Sequence, residues 1–279
     1  MTEVQVKPFQ VGNTTFGDGR LTIIAGPCVI ESREHALMMA RECSARARAA
    51  GLDFVYKSSF DKANRSSVRS FRGLGMEAGL EVLSEVKAEV DVPVLTDVHD
   101  VVQVGPVSEV ADILQIPAFL SRQSDLLIAA GRTGRAVNIK KGQFLSPWEM
   151  EHVIAKATAT GNHEILVTER GASFGYNNLV SDMRALVVMA GFGYPVVFDA
   201  THSAQLPGGA GGASGGQREF VPALARAAVA VGVAGVFMEV HEDPDRAKSD
   251  GPNSLRLDEL PALLTSLRAL DRIVKGSAG

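Results

Sequence analysis

The chain has 279 residues, 46% of them hydrophobic and 22% charged, with a formal net charge of −4 at pH 7. This length allows one large domain or two small ones, and the acidic balance argues against general binding to nucleic acid or anionic membranes. Two cysteines are too few for a disulfide framework. Residues 1–10 lack the apolar core of a signal peptide, and no stretch approaches the roughly 18 apolar residues of a membrane span. We therefore expect a cytoplasmic protein.

The first 20 residues are predicted to lie outside the repeating part of the chain. Residues 4–6 and 12–16 are expected to pair as a short hairpin around Val11, Gly12 and Asn13.

From residue 21 onward, predicted strands alternate with predicted helices. The strands are expected at 21–25, 53–57, 94–98, 113–116, 136–140, 165–168, 195–200 and 235–240. The helices are expected at 33–50, 75–90, 100–109, 123–131, 147–159, 178–190, 218–231 and 258–273. Ser146 is expected to cap the fifth helix, with Pro147 at its first position.

The predicted strands are near-continuous apolar runs, as is typical of strands covered on both faces in a parallel sheet. Eight such units without a break in composition predict one domain over residues 1–279, an α/β protein with a (β/α)8 TIM barrel at 21–275 and a short N-terminal β-hairpin in 1–20. A doubly wound open sheet is the alternative, which the regular repeat and the lack of a dinucleotide-binding glycine pattern disfavour.

Polar or ionisable residues stand at or just after the end of every predicted strand. In such barrels the active site forms where the strands end. The residues concerned are Cys28, Glu31, Lys57, Asp97, His99, Gln115, Lys140, Lys141, Glu169, Arg170, Asp199, His202, Glu239 and His241. Polar ends on all eight strands are hard to explain by core packing, so we predict a functional site there.

The loop after the second strand, residues 57–67 (KSSFDKANRSS), is rich in groups that bind anions. Lysine and arginine offer charged donors, and serine and asparagine add neutral ones. The cations of this loop, joined by those of two later strands, are sufficient for two phosphates and a carboxylate; they are Lys57, Lys62, Arg65, Lys140 and Arg170. A solvated basic turn is the plainer interpretation of the loop.

A second set of residues combines sulfur, nitrogen and oxygen: Cys28, His202, Glu239 and Asp250. Such a set suits Fe²⁺, Zn²⁺ or Mn²⁺ better than Ca²⁺ or Mg²⁺. Because the four are scattered in sequence, spacing leaves open that Cys28 is an inert buried thiol. The glycine-rich residues 203–217 and the polar residues 241–254 are interpreted as covers over the site, the first of them mobile.

Six segments resemble the 3-deoxy-D-manno-octulosonate 8-phosphate synthases. They are residues 57–67 (KSSFDKANRSS), 115–123 (QIPAFLSRQ), 137–144 (VNIKKGQF), 170–176 (RGASFGY), 199–202 (DATH) and 249–252 (SDGP). The resemblance spans residues 21–275. Related synthases of the seven-carbon shikimate precursor share the barrel but typically carry Lys-Pro-Arg-Thr-Ser where this chain has KANRS.

The resemblance implies condensation of phosphoenolpyruvate with arabinose 5-phosphate, giving inorganic phosphate and the eight-carbon sugar acid phosphate used in lipopolysaccharide. The residues implied to hold phosphoenolpyruvate are Lys62, Lys140 and Arg170, with Lys57 and Gln115 nearby. Those implied to hold the pentose phosphate are Asn64, Arg65 and Ser66. The implied catalytic residues are Lys57, Lys62, Asp97, His202 and Asp250.

The same family has members with and without a metal. Metal-free members carry Asn where this chain has Cys28, and usually Cys where it has Ser249. The resemblance therefore implies the metal-dependent kind, with Fe, Zn or Mn on Cys28, His202, Glu239 and Asp250 and no organic cofactor. Residues 119–123 match a segment that crosses a subunit interface in the family, which implies a homotetramer with Arg122 reaching a neighbour's site.

Other functions remain open at this point. A Schiff-base aldolase could use Lys57 or Lys140, with a second lysine nearby to lower the pKa of its amine. A seven-carbon synthase on the same barrel is a further alternative. A non-catalytic sugar-phosphate-binding barrel would not need the residues of the metal set.

Overall fold

The structure is a computed structural model that describes residues 6–65, 67–209 and 215–276. It begins with a hairpin of β1 (Phe9–Val11) and β2 (Thr14–Phe16), in which Phe9 pairs with Phe16. The predicted first arm at 4–6 is wrong: the arm is β1, and residues 4 and 5 lie outside the described ranges. The observed register buries Phe16 completely, which contributes about 1.5–3 kcal/mol that an exposed ring would not.

Eight parallel strands form a closed barrel. They are β3 (Thr22–Gly26), β4 (Asp53–Lys57), β5 (Val94–Asp97), β6 (Ile113–Ile116), β7 (Ala136–Lys140), β8 (Ile165–Glu169), β11 (Val196–Asp199) and β14 (Gly235–His241). Five two-residue strands lie in the loops: β9 (Ala172–Ser173), β10 (Leu179–Val180), β12 (Gln205–Leu206), β13 (Gly215–Gly216) and β15 (Leu255–Arg256). The ring closes because β14 pairs with both β11 and β3. The predicted TIM barrel with its hairpin is confirmed.

Helices surround the barrel. They are α1 (Arg33–Ala49), α2 (Met76–Val90), α3 (Val101–Val110), α4 (Ser124–Arg132), α5 (Met150–Thr158), α6 (Met183–Ala190), α7 (Val221–Val231) and α8 (Leu260–Lys275). In the ranges that the structure describes, no helix is both long enough and apolar enough to cross a membrane.

Three predicted helix starts are wrong. Helix α5 begins at Met150 rather than 147, because the chain first makes turns whose hydrogen bonds span three residues, such as that from the Met150 amide to the Pro147 carbonyl at 3.3 Å. Ser146 does not cap the helix; its amide and hydroxyl donate to the Glu149 carboxylate. Helix α6 begins at Met183 rather than 178, because β10 pairs with β9 first. Asp182 then caps α6 by accepting the Arg184 amide. Helix α7 begins at Val221 rather than 218, because Arg218–Phe220 forms a 3-10 helix first.

The inside of the barrel has its own apolar core, with one residue from each strand. These residues are Ile24, Val55, Leu95, Ile113, Ala136, Leu166, Val197 and Phe237, and the hairpin residues Val11 and Phe16 pack in the same cluster. A separate, larger core fills the layer between strands and helices. Because side chains alternate along a strand, the residue two places further along each strand faces the inside again.

Candidate active site

Two residues beyond the inner apolar core, the barrel interior becomes polar. The residues at this level are Gly26, Lys57, Asp97, Gln115, Asn138, Thr168, Asp199 and Glu239, and every polar one among them is less than 7% exposed. The strand-end side chains that the sequence singled out therefore meet because the period of two places them on one face. Lys57, Asp97 and Gln115 of this level line the floor of a cavity at the carboxyl ends of the strands, and the others lie beneath it.

Asp199 organises one side of this floor. Its carboxylate accepts hydrogen bonds from Lys140 Nζ, from Thr201 Oγ1 at 3.1 Å and from the His202 amide at 2.9 Å. His202 Nδ1 lies 2.7 Å from Asp199 Oδ2. Burial opposes ionisation of Asp199, but His202 and Lys140 outweigh it and hold the pKa of the carboxyl well below its usual range. The bond to the ionised carboxylate places a proton on His202 Nδ1 and turns Nε2 away from Asp199, so that Nε2 can bind a metal ion once its own proton is displaced.

The other ring nitrogen of His202 faces two further members of the predicted metal set. Nε2 lies 3.5 Å from Glu239 Oε1 and 3.4 Å from Asp250 Oδ2. Cys28 Sγ is 3.4 Å from Asp250 Oδ2, and ligand atoms of Cys28, Glu239 and Asp250 all lie within 4.8 Å of one another. Three of the four predicted residues therefore form one cluster, and His202 joins it through Glu239 and Asp250 without coming as close to all of its members.

The converging set fits a divalent transition metal. Glu239 Oε2 is buried and has no hydrogen-bond partner among the residues that the structure describes, which is costly unless something else binds it. The donors are a thiol sulfur, an imidazole nitrogen and carboxylate oxygens, a combination that suits Zn²⁺, Fe²⁺ or Mn²⁺. Asp199 supports His202 from behind in the manner usual for metal-binding histidines.

Without a metal ion, burial and the neighbouring charges keep the Cys28 thiol protonated and the Glu239 and Asp250 carboxylates ionised. Burial raises the pKa of Cys28 well above its usual value, and the Asp250 and Glu239 carboxylates raise it further. Burial opposes ionisation of Asp250, but the hydrogen bond to His202 and nearby positive charges lower its pKa. For Glu239 the opposing burial is outweighed by His202, Lys62 and Lys57, which lower its pKa. The two carboxylates are thus charged and available as ligands.

Cations line the same cavity. Lys57 Nζ donates to the Cys28 carbonyl at 3.2 Å and to Glu239 Oε1 at 3.4 Å. Lys62 Nζ lies 3.7 Å from Glu239 Oε1; burial opposes its charge, but the neighbouring anionic groups raise its pKa. Burial lowers the pKa of Lys140 despite the Asp199 carboxylate. Arg170 donates to Gln205 at 3.0 Å, and its buried Nη1 has no partner within the described ranges.

Asp97 is held by a hydrogen-bonded chain that crosses four strands. Its carboxylate accepts from Ser59 and Gln115. Asn138 donates to Gln115 Oε1 at 2.8 Å, and Thr168 donates to Asn138 Oδ1 at 2.6 Å. Burial opposes ionisation of Asp97, but Lys57 and Lys62 outweigh it and strongly lower its pKa. Asp97 is therefore an oriented, charged group on the cavity floor.

The cavity encloses about 200 Å³ and brings most of the predicted residues together. Those lining it are Lys57, Lys62, Asn64, Arg65, Asp97, Gln115, Lys140, Arg170, His202 and Asp250. Ser66 lies outside the described residues, as do residues 210–214 of the predicted glycine-rich cover. The described ends of that cover pair as β12 and β13.

A family model described as the DAHP synthetase I family matches residues 3–276. Three proteins named 2-dehydro-3-deoxyphosphooctonate aldolase, from Brucella ovis, Brucella canis and Brucella melitensis, are each 62% identical to this chain over 267 residues. The matched region is 95% of this chain and 96% of each relative. The chain belongs to the DAHP synthetase I family.

In this DAHP synthetase family member, some site residues act through others. Asp199 stands in the sequence only as a polar strand end, although it orients His202 and binds Lys140. Asn138 and Thr168, which support Gln115 and Asp97, resemble ordinary strand residues in the sequence. The signal that identifies all three is the period of two, since each lies two residues beyond an inner apolar residue.

Three predicted site residues that the structure describes do not line the cavity of this family member: Cys28, Glu239 and Arg122. Cys28 and Glu239 are buried beside the lining residues Asp250 and His202. The third is Arg122. Its side chain is exposed, and its carbonyl accepts a hydrogen bond from Lys156 at 2.9 Å. The expectation that it reaches a neighbouring subunit therefore stays a prediction.

Proposed function

We propose that this chain condenses phosphoenolpyruvate with D-arabinose 5-phosphate and water, forming 3-deoxy-D-manno-octulosonate 8-phosphate and inorganic phosphate. The observation that carries the proposal is one cavity lined by four buried or nearly buried cations on its floor, with Asn64 and Arg65 from the KANRSS loop also at its wall. The family membership and the name of the Brucella relatives support the same reaction.

Lys140, Arg170 and Lys62 would hold the phosphate and carboxylate of phosphoenolpyruvate. The unpartnered Nη1 of Arg170 is a buried donor of the kind that an anion satisfies. Asn64, Arg65 and Ser66 would hold the pentose phosphate, which places the aldehyde at the opposite end of that substrate inside the cavity. Holding C3 of phosphoenolpyruvate beside the aldehyde carbon converts a bimolecular reaction into an effectively unimolecular one.

The reaction also requires stabilisation of a developing negative charge and transfer of a proton from water. The new C–C bond leaves negative charge on the former aldehyde oxygen, and water must lose a proton as it adds to C2 before phosphate departs. Lys62, whose pKa is raised, would donate to the developing oxyanion, and Asp250 would accept a proton from water. The lowered pKa of Asp97 keeps its carboxylate charged, and this negative charge would hold the Lys57 and Lys62 ammonium groups in place.

A divalent metal ion, Fe, Zn or Mn, would be held by Cys28, His202, Glu239 and Asp250, and no organic cofactor is needed. Such an ion polarises an oxygen of the aldehyde or lowers the pKa of water. The carboxylate charges and the His202 orientation described above support this assignment.

Assembly and location follow the same family argument. We infer a homotetramer in which Arg122 contributes to a neighbour's site, in a cytoplasmic enzyme of lipopolysaccharide synthesis. Sedimentation at assay concentration tests the assembly, and a fully active monomer contradicts it.

A Schiff-base aldolase is the second candidate, since burial lowers the pKa of Lys140 toward that of a nucleophilic amine. The bond from Lys140 to Asp199 argues against it, because the carboxylate stabilises the charged form of the amine and holds it away from a carbonyl carbon. Borohydride trapping with substrate is expected to label nothing.

Phosphate release is the decisive assay. It is measured from phosphoenolpyruvate with arabinose 5-phosphate, with erythrose 4-phosphate and with no acceptor, before and after chelation. Release only with the five-carbon acceptor supports the proposal. Preference for erythrose 4-phosphate indicates the seven-carbon synthase, and no release with any acceptor indicates a binding protein.

A further inference from the structure

The backbone of Lys248 is held at both ends by side chains from other loops. Its amide donates to Glu31 Oε1 at 2.8 Å, and its carbonyl accepts from Arg65 Nη2 at 2.7 Å. Lys248 Nζ also donates to the Glu31 carbonyl at 3.4 Å. Lys248 lies two residues before Asp250, and Glu31 lies three residues after Cys28. The contact therefore joins the two loops that carry Cys28 and Asp250.

The segment that Lys248 leads into has a strained backbone, held in part by the amide and hydroxyl of Ser254, which donate to the Asp250 carbonyl at 3.0 and 2.9 Å. Asp250 has φ of 50°, in the left-handed region that residues with a side chain rarely adopt. The next residue must be glycine, since a Cβ on Gly251 would lie 2.2 Å from the Pro244 carbonyl oxygen. A strained backbone of this kind persists only when surrounding contacts hold it. The two hydrogen bonds to Lys248 are such contacts.

A histidine pair lies behind the Glu31 carboxylate. Ligand atoms of Glu31, His35 and His241 come within 4.8 Å of one another, which raises the question of a second metal site. However, His241 Nδ1 accepts the Asp243 amide at 3.0 Å, so the ring proton must sit on Nε2, which faces Glu31 Oε1 at 3.3 Å. Neither ring nitrogen of His241 then presents a lone pair to a metal, and its Nε2 has no hydrogen-bond partner among the residues that the structure describes.

We infer that Glu31 is a positioning residue: its carboxylate holds the Lys248 backbone so that Asp250 stays aimed at Cys28 and His202. The inference rests on the proposed metal site and adds to it a residue that binds neither metal nor substrate. Groups that orient metal ligands in this way typically change metal affinity by about 10–100-fold when removed.

The test measures metal affinity directly, by competition between the purified enzyme and a chelator for Mn²⁺. Glu31→Ala is expected to bind Mn²⁺ about tenfold more weakly than wild type. Glu31→Gln keeps an oxygen that can accept the Lys248 amide, so its affinity is expected to lie closer to wild type. At saturating Mn²⁺, the activity of Glu31→Ala is expected to return to the wild-type level, because Glu31 is not among the residues that line the cavity.

Glu242→Ala is the matched control. Its carboxylate contacts the same histidines, 2.8 Å from His35 Nε2 and 3.1 Å from His241 Nδ1, but it makes no contact with Lys248. We expect Glu242→Ala to bind Mn²⁺ as wild type does. If it weakens binding as much as Glu31→Ala does, the histidine pair rather than the Lys248 bond supports the loop, and the inference is wrong.

Other outcomes also decide the question. Equal losses in Glu31→Ala and Glu31→Gln would mean that the charge of Glu31, not its hydrogen bond, matters, and wild-type affinity in both would mean no role; either result overturns the inference. If Glu31→Ala does not fold, Glu31→Asp replaces it, since the shorter side chain cannot reach Lys248. Failure of the wild-type enzyme to bind Mn²⁺, Zn²⁺ or Fe²⁺ overturns the metal site itself, which the condensation assay reports separately.

Discussion

His202 Nδ1 lies 2.7 Å from Oδ2 of the fully buried Asp199. The same carboxylate forms an ion pair with Lys140. Asp199 therefore orients His202, a proposed metal ligand, and also balances the charge of Lys140, a proposed phosphate-binding residue. The two halves of the site, one for metal and one for phosphoenolpyruvate, therefore depend on a common anion.

Asp199→Asn should impair both halves. An amide can present its NH₂ group to His202 Nδ1, which moves the ring proton to Nε2 and blocks metal binding, and it leaves Lys140 without its counter-charge. We expect metal affinity to fall by about 10–100-fold and the KM for phosphoenolpyruvate to change. Metal content after dialysis and steady-state kinetics measure the two effects. Loss of one effect without the other would show that the halves are independent.

Arg65→Ala should weaken the binding of the pentose phosphate and leave the binding of phosphoenolpyruvate largely unchanged. Loss of a charge-assisted pair with phosphate costs roughly 2–5 kcal/mol, and calorimetric titration of each substrate measures it. Arg72→Ala is the control, since Arg72 is an exposed arginine of the same loop that pairs with Asp61. Equal weakening of both substrates by Arg65→Ala would mean that the wrong phosphate was assigned to it.

Chelation should abolish activity, and Mn²⁺, Fe²⁺ or Zn²⁺ should restore it to different degrees. His202→Ala should lose both metal and activity, because the imidazole is a ligand in the proposed site. Cys28→Asn is the sharper variant: an amide can hold part of the site by hydrogen bonds, so we expect weak turnover that resists chelators. Full activity of wild-type protein shown metal-free by elemental analysis would make Cys28 a packing residue only.

The protein should become less stable as the pH is lowered, and His99 should account for part of this loss. Burial lowers the pKa of this ring, against the opposing charge of Asp97. The unfolded chain therefore binds a proton at His99 near pH 6.5, whereas the folded chain binds it only at lower pH. The contribution of His99 to the free energy of unfolding is thus present above about pH 6.5 and is lost as the pH falls through the lower pKa of the folded state. The free energy of unfolding in urea, measured between about pH 7.5 and 5.5, should decline less steeply in His99→Gln. An unchanged slope in that variant would exclude His99 as a contributor.

Gly79→Ala should destabilise the protein, although alanine favours helices over glycine. Gly79 lies within α2, and a Cβ there would come 2.3 Å from Cβ of the buried Phe60. Overpacking of this kind costs about 1–3 kcal/mol. Ser84→Ala on the exposed face of the same helix should change stability by less than about 0.5 kcal/mol. Thermal unfolding compares the two, and a stabilised Gly79→Ala would show that Phe60 can move aside.

Local sequence determined the number and order of the elements. Eight apolar runs alternating with helical patterns define the barrel, because a strand buried on both faces needs apolar residues throughout. The polar strand ends at Lys57, Asp97 and Glu239 were visible for the same reason, since they interrupt those runs. The KANRSS segment separated the candidate families, which spacing by itself did not.

Only the tertiary structure decided what these residues do to one another. Asp199 reads only as a polar strand end and Asn138 as an ordinary strand residue until the closed barrel places them beside Lys140 and Gln115, across gaps of 59 and 23 positions in the chain. Helix α5 starts late because the backbone hydrogen bonds after Ser146 first span three residues, as from the Met150 amide to the Pro147 carbonyl. Burial, closure of the ring and the partners it brings together set tautomers, charges and metal geometry, and none of these is a property of a residue and its sequence neighbours alone.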